Sequence, residues 1–198
     1  MKLTKILMDE HRVIEVALDC LEKIVDEAHS AGKLNQVAAE QTIDVIRTFA
    51  DTCHHGKEED HLFTALVDKG LPQEGGPVGQ MLHEHEEGRL FVRRMADSVA
   101  RAAGGDRAAI EEFSDSARGY VELLRAHILK EDNALFPMAD DMLDEDDQRR
   151  LMQAFERVES DQMGAGTHEK YLAIVAALAK QYGVPAEHIA AASGGCGH

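Results

Sequence analysis

The 198-residue chain carries 37 acidic against 21 basic residues, a formal net charge of -16, so polyanionic nucleic acid and anionic membrane surfaces are repelled and neither is an expected partner. Three cysteines without a CxxC spacing argue against a disulfide framework or a thiolate zinc site, and no run approaches the roughly 20 apolar residues that span a bilayer. The apolar stretch after Met1 reaches Asp9 and Glu10 too soon for a signal-peptide core, which makes a cytoplasmic protein the expectation.

Apolar residues recur at spacings of three and four, and period-two alternation is absent, so the fold class is all-α. A first helix is expected from Thr4, as N-cap, to Ala31, with Gly32 as its stop and Leu7, Ile14, Leu18, Leu21 and Val25 on its buried face. A second runs from about Asn35 to Asp68 and breaks at Lys69-Gly70-Leu71-Pro72. A third starts at Pro77, where the missing N–H costs little, and continues to Ala103. Asp106 caps a fourth, which is expected to stop around Phe136-Pro137-Met138. Residues 1–140 would then form an up-down-up-down four-helix bundle. Residues 141–192 would form a helical extension docked on it, broken at Gly164-Ala165-Gly166, and 193–198 a flexible tail.

Two segments share one register. His54-His55-Gly56-Lys57-Glu58-Glu59-Asp60-His61-Leu62-Phe63 and His127-Ile128-Leu129-Lys130-Glu131-Asp132-Asn133-Ala134-Leu135-Phe136 both read H-x-x-K-E-[ED]-x-x-L-F. Each follows a Glu-His pair: Glu10-His11 lies 43 positions before His54, and Glu84-His85 lies 42 before His127. The chain therefore reads as a duplicated helical hairpin. At about 100° per residue, a His and a Glu four apart stand about 40° apart on one helix face, one turn along. Leu62 and Leu135 continue those faces, so both pairs point inward, where a bare carboxylate is costly and a bound cation removes the cost. His11 shares a seam with Leu7, Ile14 and Leu18, and His85 one with Leu82 and Val92. Four imidazoles and two carboxylates then meet, a mixed N/O set that suits iron or manganese and that zinc could also bind. Within the repeat the pairs His55/Glu59 and His127/Asp132 remain alternatives, with His54/Glu58 and His127/Glu131 preferred because the two segments align on them.

These motifs resemble the hemerythrin-like, or HHE cation-binding, family over about residues 5–138. Position by position, the resemblance implies His11, His54, His85 and His127 as terminal metal ligands, Glu58 and Glu131 as carboxylates bridging two iron ions, and an oxo or hydroxo bridge. It also implies reaction with a small diatomic or peroxide ligand, O2, NO or H2O2. The family's oxygen carriers are similar but place two histidines four apart on the third helix, whereas the residue four after His85 is Arg89 and His83 faces away. A missing ligand opens coordination positions, which favours handling of peroxide, nitric oxide or iron over reversible oxygen carriage.

Three further residues are candidates for contact behind the ligands. Glu15, one turn from His11, reads as a ligand partner or as a solvated rim carboxylate, the latter preferred. His61, seven after His54, reads as a hydrogen-bond partner near the site or as a core-edge histidine. Tyr120, seven before His127, would orient a bound oxygen species or pack, and packing is preferred. Cys53 is read as a buried structural thiol. No Ser-His-Asp arrangement, phosphate-cradling loop or dinucleotide fingerprint is present. Glu-x-x-His, which a ferritin-like oxidase needs on two helices, occurs only at Glu58–His61 within the repeat. The remaining functional alternatives are a di-iron protein that processes an oxidant and a non-catalytic iron or oxygen sensor or store.

Overall fold

The computed structural model describes residues 2–164, 166–187 and 189; the expected tail at 193–198 lies outside them. Six helices follow one another, and no strand occurs among the described residues. They are α1 (Leu3–Ala31), α2 (36–68), α3 (Pro77–Ala103), α4 (107–142), α5 (145–163) and α6 (Thr167–Tyr182). α1 to α4 form the four-helix bundle. Gly32 takes a left-handed conformation (φ 68°) that ends α1, and the Asn35 side chain accepts from the Ala38 N–H to start α2. Leu34 N–H donates to the Ala102 carbonyl (3.1 Å), which puts the α1–α2 and α3–α4 connections at the same end of the bundle.

Two helix boundaries differ from the sequence reading. Thr4 is not a cap: it lies inside α1, buried, with its hydroxyl 2.8 Å from Asp140, and the first N–H, that of Leu3, donates instead to the Gln148 side chain of α5. Pro137 does not end α4, which continues to Met142. The stretch just before it, Glu131–Leu135, is π-helical, so the i→i−4 ladder that proline would break is already interrupted. α2 contains two more π-helical stretches, Ile46–His55 and Glu58–Phe63.

The apolar interior falls into two clusters. One fills the loop end, with Leu18, Ile24, Phe49, Met95 and Phe113. The other fills the opposite end, with Leu7, Leu62, Phe63, Met81, Leu135 and Phe136, and is closed by Phe155 of α5. α6 joins the first cluster through Tyr171, Val175 and Leu178. Between the clusters lies a buried polar layer made of Glu10, His11, His54, His55, Glu58, His85, His127 and Glu131.

Phe155 packs its ring into the second cluster and beneath the Lys57 ammonium, 5.9 Å from the ring centroid. Truncation to Ala is expected to cost about 3–5 kcal/mol in denaturant unfolding. It should also speed proteolysis in α5 before the bundle is cut. A loss under about 1 kcal/mol would show that α5 contributes little to the packed core.

Candidate metal centre

All six residues singled out from the motifs enter the polar layer, and a seventh, His55, joins them. Their donor atoms fall into two groups, each with ligand atoms within 4.8 Å of one another: His11, His54, Glu58 and Glu131, and His55, Glu58, His85 and His127. Glu58 belongs to both. Its Oε1 lies 3.3 Å from His54 Nε2 and its Oε2 3.6 Å from His85 Nε2, so one carboxylate spans the groups. Glu131 spans them too, its Oε2 being 3.3 Å from His11 Nε2 and 3.2 Å from His127 Nε2.

His55 was not selected from the sequence because regular α-helical geometry turns adjacent residues 100° apart. In the wider π-helical stretch that ends at His55 both neighbours reach inward. The His55 ring stacks on His85 (centroids 3.7 Å apart) and so occupies the side left short of a histidine by Arg89. The signals for it in the sequence are the consecutive histidines in one copy of the repeat, against His-Ile in the other, and the alternative His55/Glu59 spacing of four.

Each of the five imidazoles presents Nδ1 to a carboxylate: His11 to Asp132 (2.7 Å), His54 to Glu10 (2.8 Å), His55 to Asp51 (3.3 Å), His85 to Glu59 (2.7 Å) and His127 to Glu84 (3.0 Å). A carboxylate only accepts, so each Nδ1 carries a proton and Nε2 is the ring nitrogen turned inward. The repeat explains the pattern. In each copy the Glu of the Glu-His pair, Glu10 or Glu84, accepts from the motif histidine, His54 or His127, and also takes the ammonium of the motif lysine, Lys57 or Lys130. The acidic residue after the motif glutamate, Glu59 or Asp132, reaches the Glu-His histidine of the other hairpin. Arg89 binds Asp51 and Glu59 together (2.7 Å each), fixing the carboxylates behind His55 and His85.

The interior of this shell lacks protein partners. His11 Nε2, His54 Nε2 and all four carboxylate oxygens of Glu58 and Glu131 are buried without a hydrogen bond. His85 Nε2 and His127 Nε2 lie 3.0 Å apart, a hydrogen bond that requires one of the two rings to carry a second proton. Burial, reinforced by Glu131 alongside, raises Glu58 well above the ordinary carboxylate range. Burial acts in the same direction on Glu131, but His127 and His11 overcome it and hold that carboxyl well below the range. Burial also lowers His54 to about 4 and, with His85 nearby, takes His55 well down. His85 is lowered by the same cause. For His127 burial is outweighed by Glu131 and Glu84, which bring it to about 9, and His11 is raised by Asp132 and Glu131 against its own burial. Lone pairs converging on one enclosed point with nothing to accept them describe a cation site, and its His/Glu donors fit one.

The family model for the Hemerythrin HHE cation binding domain matches residues 2–139. The chain belongs to this family. It is 23% identical over 178 residues to an uncharacterized protein, Rv1995, of Mycobacterium tuberculosis strain H37Rv, and equally to Mb2018, an uncharacterized protein of Mycobacterium bovis. These alignments cover 90% of this chain and 69% of each relative. No solved structure matches the chain.

Within this hemerythrin-like bundle the outer candidates take different places. Glu15 pairs with Arg12 (3.0 Å) at the surface and reaches the centre only through Arg12 and Asp132. His61 lies at the edge of the second cluster, its ring 6.4 Å from that of Phe155, and enters neither donor group. Tyr120 is buried beside Gly88 and lines a cavity that also touches His55 and His85. Burial pushes the Cys53 thiol up to about 12, so it stays protonated. No helix is long and apolar enough to cross a membrane among the described residues.

The halves of the centre differ in their surroundings. Lys57 is fully buried because Glu159 of α5 meets its ammonium from the side opposite Glu10. Lys130, its repeat counterpart, pairs with Glu84 and remains more than a third exposed. Glu159 also lies with Glu10 and His168 in a third acidic and imidazole group, already answered by the Lys57 charge.

Two outcomes follow from this arrangement. Loading with a divalent metal near neutral pH should expel protons from His127, His11 and Glu58, whose values are raised, and none from His54, His55 or His85, already neutral. Affinity should therefore weaken as the pH falls below about 9, the His127 value, because the proton competes for the same lone pair. Titration calorimetry in two buffers of different ionisation heat reads this directly, and equal apparent heats would contradict it. Asp51→Asn, which weakens the hold on His55 Nδ1, should lower metal affinity roughly 10- to 100-fold with little change in the far-UV spectrum.

Proposed function

We propose that the centre holds two iron ions and that the protein binds or reduces a small oxidant, O2, H2O2 or NO. The observation that carries this reading is the doubling of the donor set, with Glu58 offering one oxygen to each group and Glu131 standing between them. Nitrogen and carboxylate donors without thiolate suit iron, with manganese or zinc as substitutes. Bound iron supplies the electron exchange that an oxidant requires, and no protein nucleophile is needed.

The chain contributes position and environment. Five Nδ1–H donors anchored on carboxylates fix the rings, so the donor geometry is set before anything binds. Glu58 and Glu131 keep the two halves adjacent, and the apolar clusters above and below limit water. The donor groups are unequal, with two histidines on one side and three on the other. That inequality supports different roles for the two positions, the less substituted one being more open to an added ligand.

A second reading, a sensor whose helices respond when the site loads, draws on one contact: Glu159 of α5 reaches Lys57, Lys57 reaches Glu10, and Glu10 orients His54. Turnover separates the readings. Reconstituted protein supplied with a reductant should consume many equivalents of peroxide or nitric oxide per chain. Consumption that stops at one equivalent, together with a change in hydrogen-exchange protection of α5, would favour the sensor.

Metal analysis of the purified chain is the direct test, with two irons per chain and a visible charge-transfer band expected. A colourless protein with a single zinc would defeat the proposal. Glu58→Ala should lose both ions, whereas His55→Ala should weaken chiefly the position that His85 and His127 share.

A further inference from the structure

A cavity of about 330 Å³ opens between α2, α3 and α4 beside the centre, with His55 and His85 among its lining residues. It is within the size range of small-molecule sites and far larger than a diatomic needs. Ile46, Val92 and Leu124 give it apolar walls. Gly88 lines it beside the Tyr120 ring.

Two polar features remain unanswered within it. Tyr120 is only 2% exposed as a residue, and its hydroxyl makes no hydrogen bond among the described residues, whereas Tyr171 donates to Asp44 (2.9 Å) and Tyr182 to Glu27 (2.8 Å). The charged lining residues are equal in number, Arg47, Arg89 and Arg93 against Asp51, Glu84 and Glu86, but they are not paired with one another throughout. Asp51, Glu84 and Glu86 are each held by a cation or an imidazole, and Arg89 is answered by Asp51, Glu59 and Glu86. Arg47 and Arg93 are exposed and form no ion pair among the described residues, the one contact of either guanidinium being from Arg93 Nε to the Arg89 carbonyl (3.3 Å). Two guanidinium groups without a carboxylate partner beside an apolar cavity match an anion carried on an apolar body.

We propose that this cavity is a binding site for an oxygenated organic acid, whose carboxylate meets Arg47 and Arg93 and whose far end brings a hydroxyl-type oxygen to Tyr120, beside His55 and His85. The substrate class of the centre then extends from O2, NO and H2O2 to an organic molecule with two polar ends. That extension rests on the di-iron reading; the binding site itself does not.

Three probes of one chain length test it on the full-length protein by protein-observed NMR titration, in the metal-loaded and the chelated forms: 8-hydroxyoctanoate, octanoate and 1,8-octanediol. 8-Hydroxyoctanoate should bind about tenfold tighter than the diol, as expected for a charge-assisted pair, and roughly threefold tighter than octanoate. The double variant Arg47→Ala/Arg93→Ala should erase the preference over the diol, and Tyr120→Phe the preference over octanoate. Both leave every metal donor untouched. Equal affinity for the three probes, preferences that survive the substitutions, or no binding at millimolar probe would each overturn the proposal. Metal content is read on the same samples, so a chain that holds no iron but selects among the probes would sink the di-iron reading and leave the binding site standing.

Discussion

Glu58 and Glu131 sit at the middle of a helical bundle, fully buried, with none of their four oxygens hydrogen-bonded to the protein. An ion moved from water into such an interior carries a penalty of several kcal/mol even after relaxation. An arginine or lysine could meet it, but the motif lysines, Lys57 and Lys130, pair instead with Glu10 and Glu84. The rest of the molecule is organised by that constraint. Imidazole nitrogens surround the same point, the apolar core is split so that a polar layer fits between its halves, and three π-helical stretches, Ile46–His55, Glu58–Phe63 and Glu131–Leu135, contain donor residues. A cation is the group that answers both the carboxylates and the lone pairs at once.

The outer ring of carboxylates makes the inner one usable. An imidazole free to choose its tautomer would offer an N–H inward about as readily as a lone pair, and a cation would have to displace it. Asp132, Glu10, Asp51, Glu59 and Glu84 remove the choice by accepting from Nδ1. Their own charges are balanced one step further out by Arg12, Lys57, Arg89 and Lys130. Charge thus alternates in shells from the centre to the surface. The acidic character of the chain as a whole is carried elsewhere, on exposed helix faces.

Much of this was legible because the repeat constrains it twice. The all-helical class, the bounds of α3 and the inward faces of His54, Glu58, His127 and Glu131 follow from apolar spacing and from two segments that agree. The motif lysines and the trailing acidic residues were visible as repeated letters, but their role was not, since it depends on which helix stands opposite. His55 and Pro137 were misjudged for one shared reason. Both arguments assumed an unbroken i→i−4 ladder, and a local change to wider turns moves a neighbouring side chain inward in one case and tolerates a proline in the other. Thr4 was misplaced because its helix is capped by Gln148, far along the chain, which no local pattern reveals.

The hydrogen bonds behind the histidines run in two directions, and the difference bears on ancestry. Glu10 and Glu84 serve histidines of their own hairpin, whereas Glu59 and Asp132 serve those of the opposite one. A lone hairpin would leave the histidine of its Glu-His pair, His11 or His85, without its carboxylate. Two identical copies facing each other about a twofold axis would satisfy all of them, so the duplicated chain has the form of a symmetric dimer fused end to end. A single chain does not require its two copies to be identical, and His55, where the second copy has Ile128, is a position at which they differ.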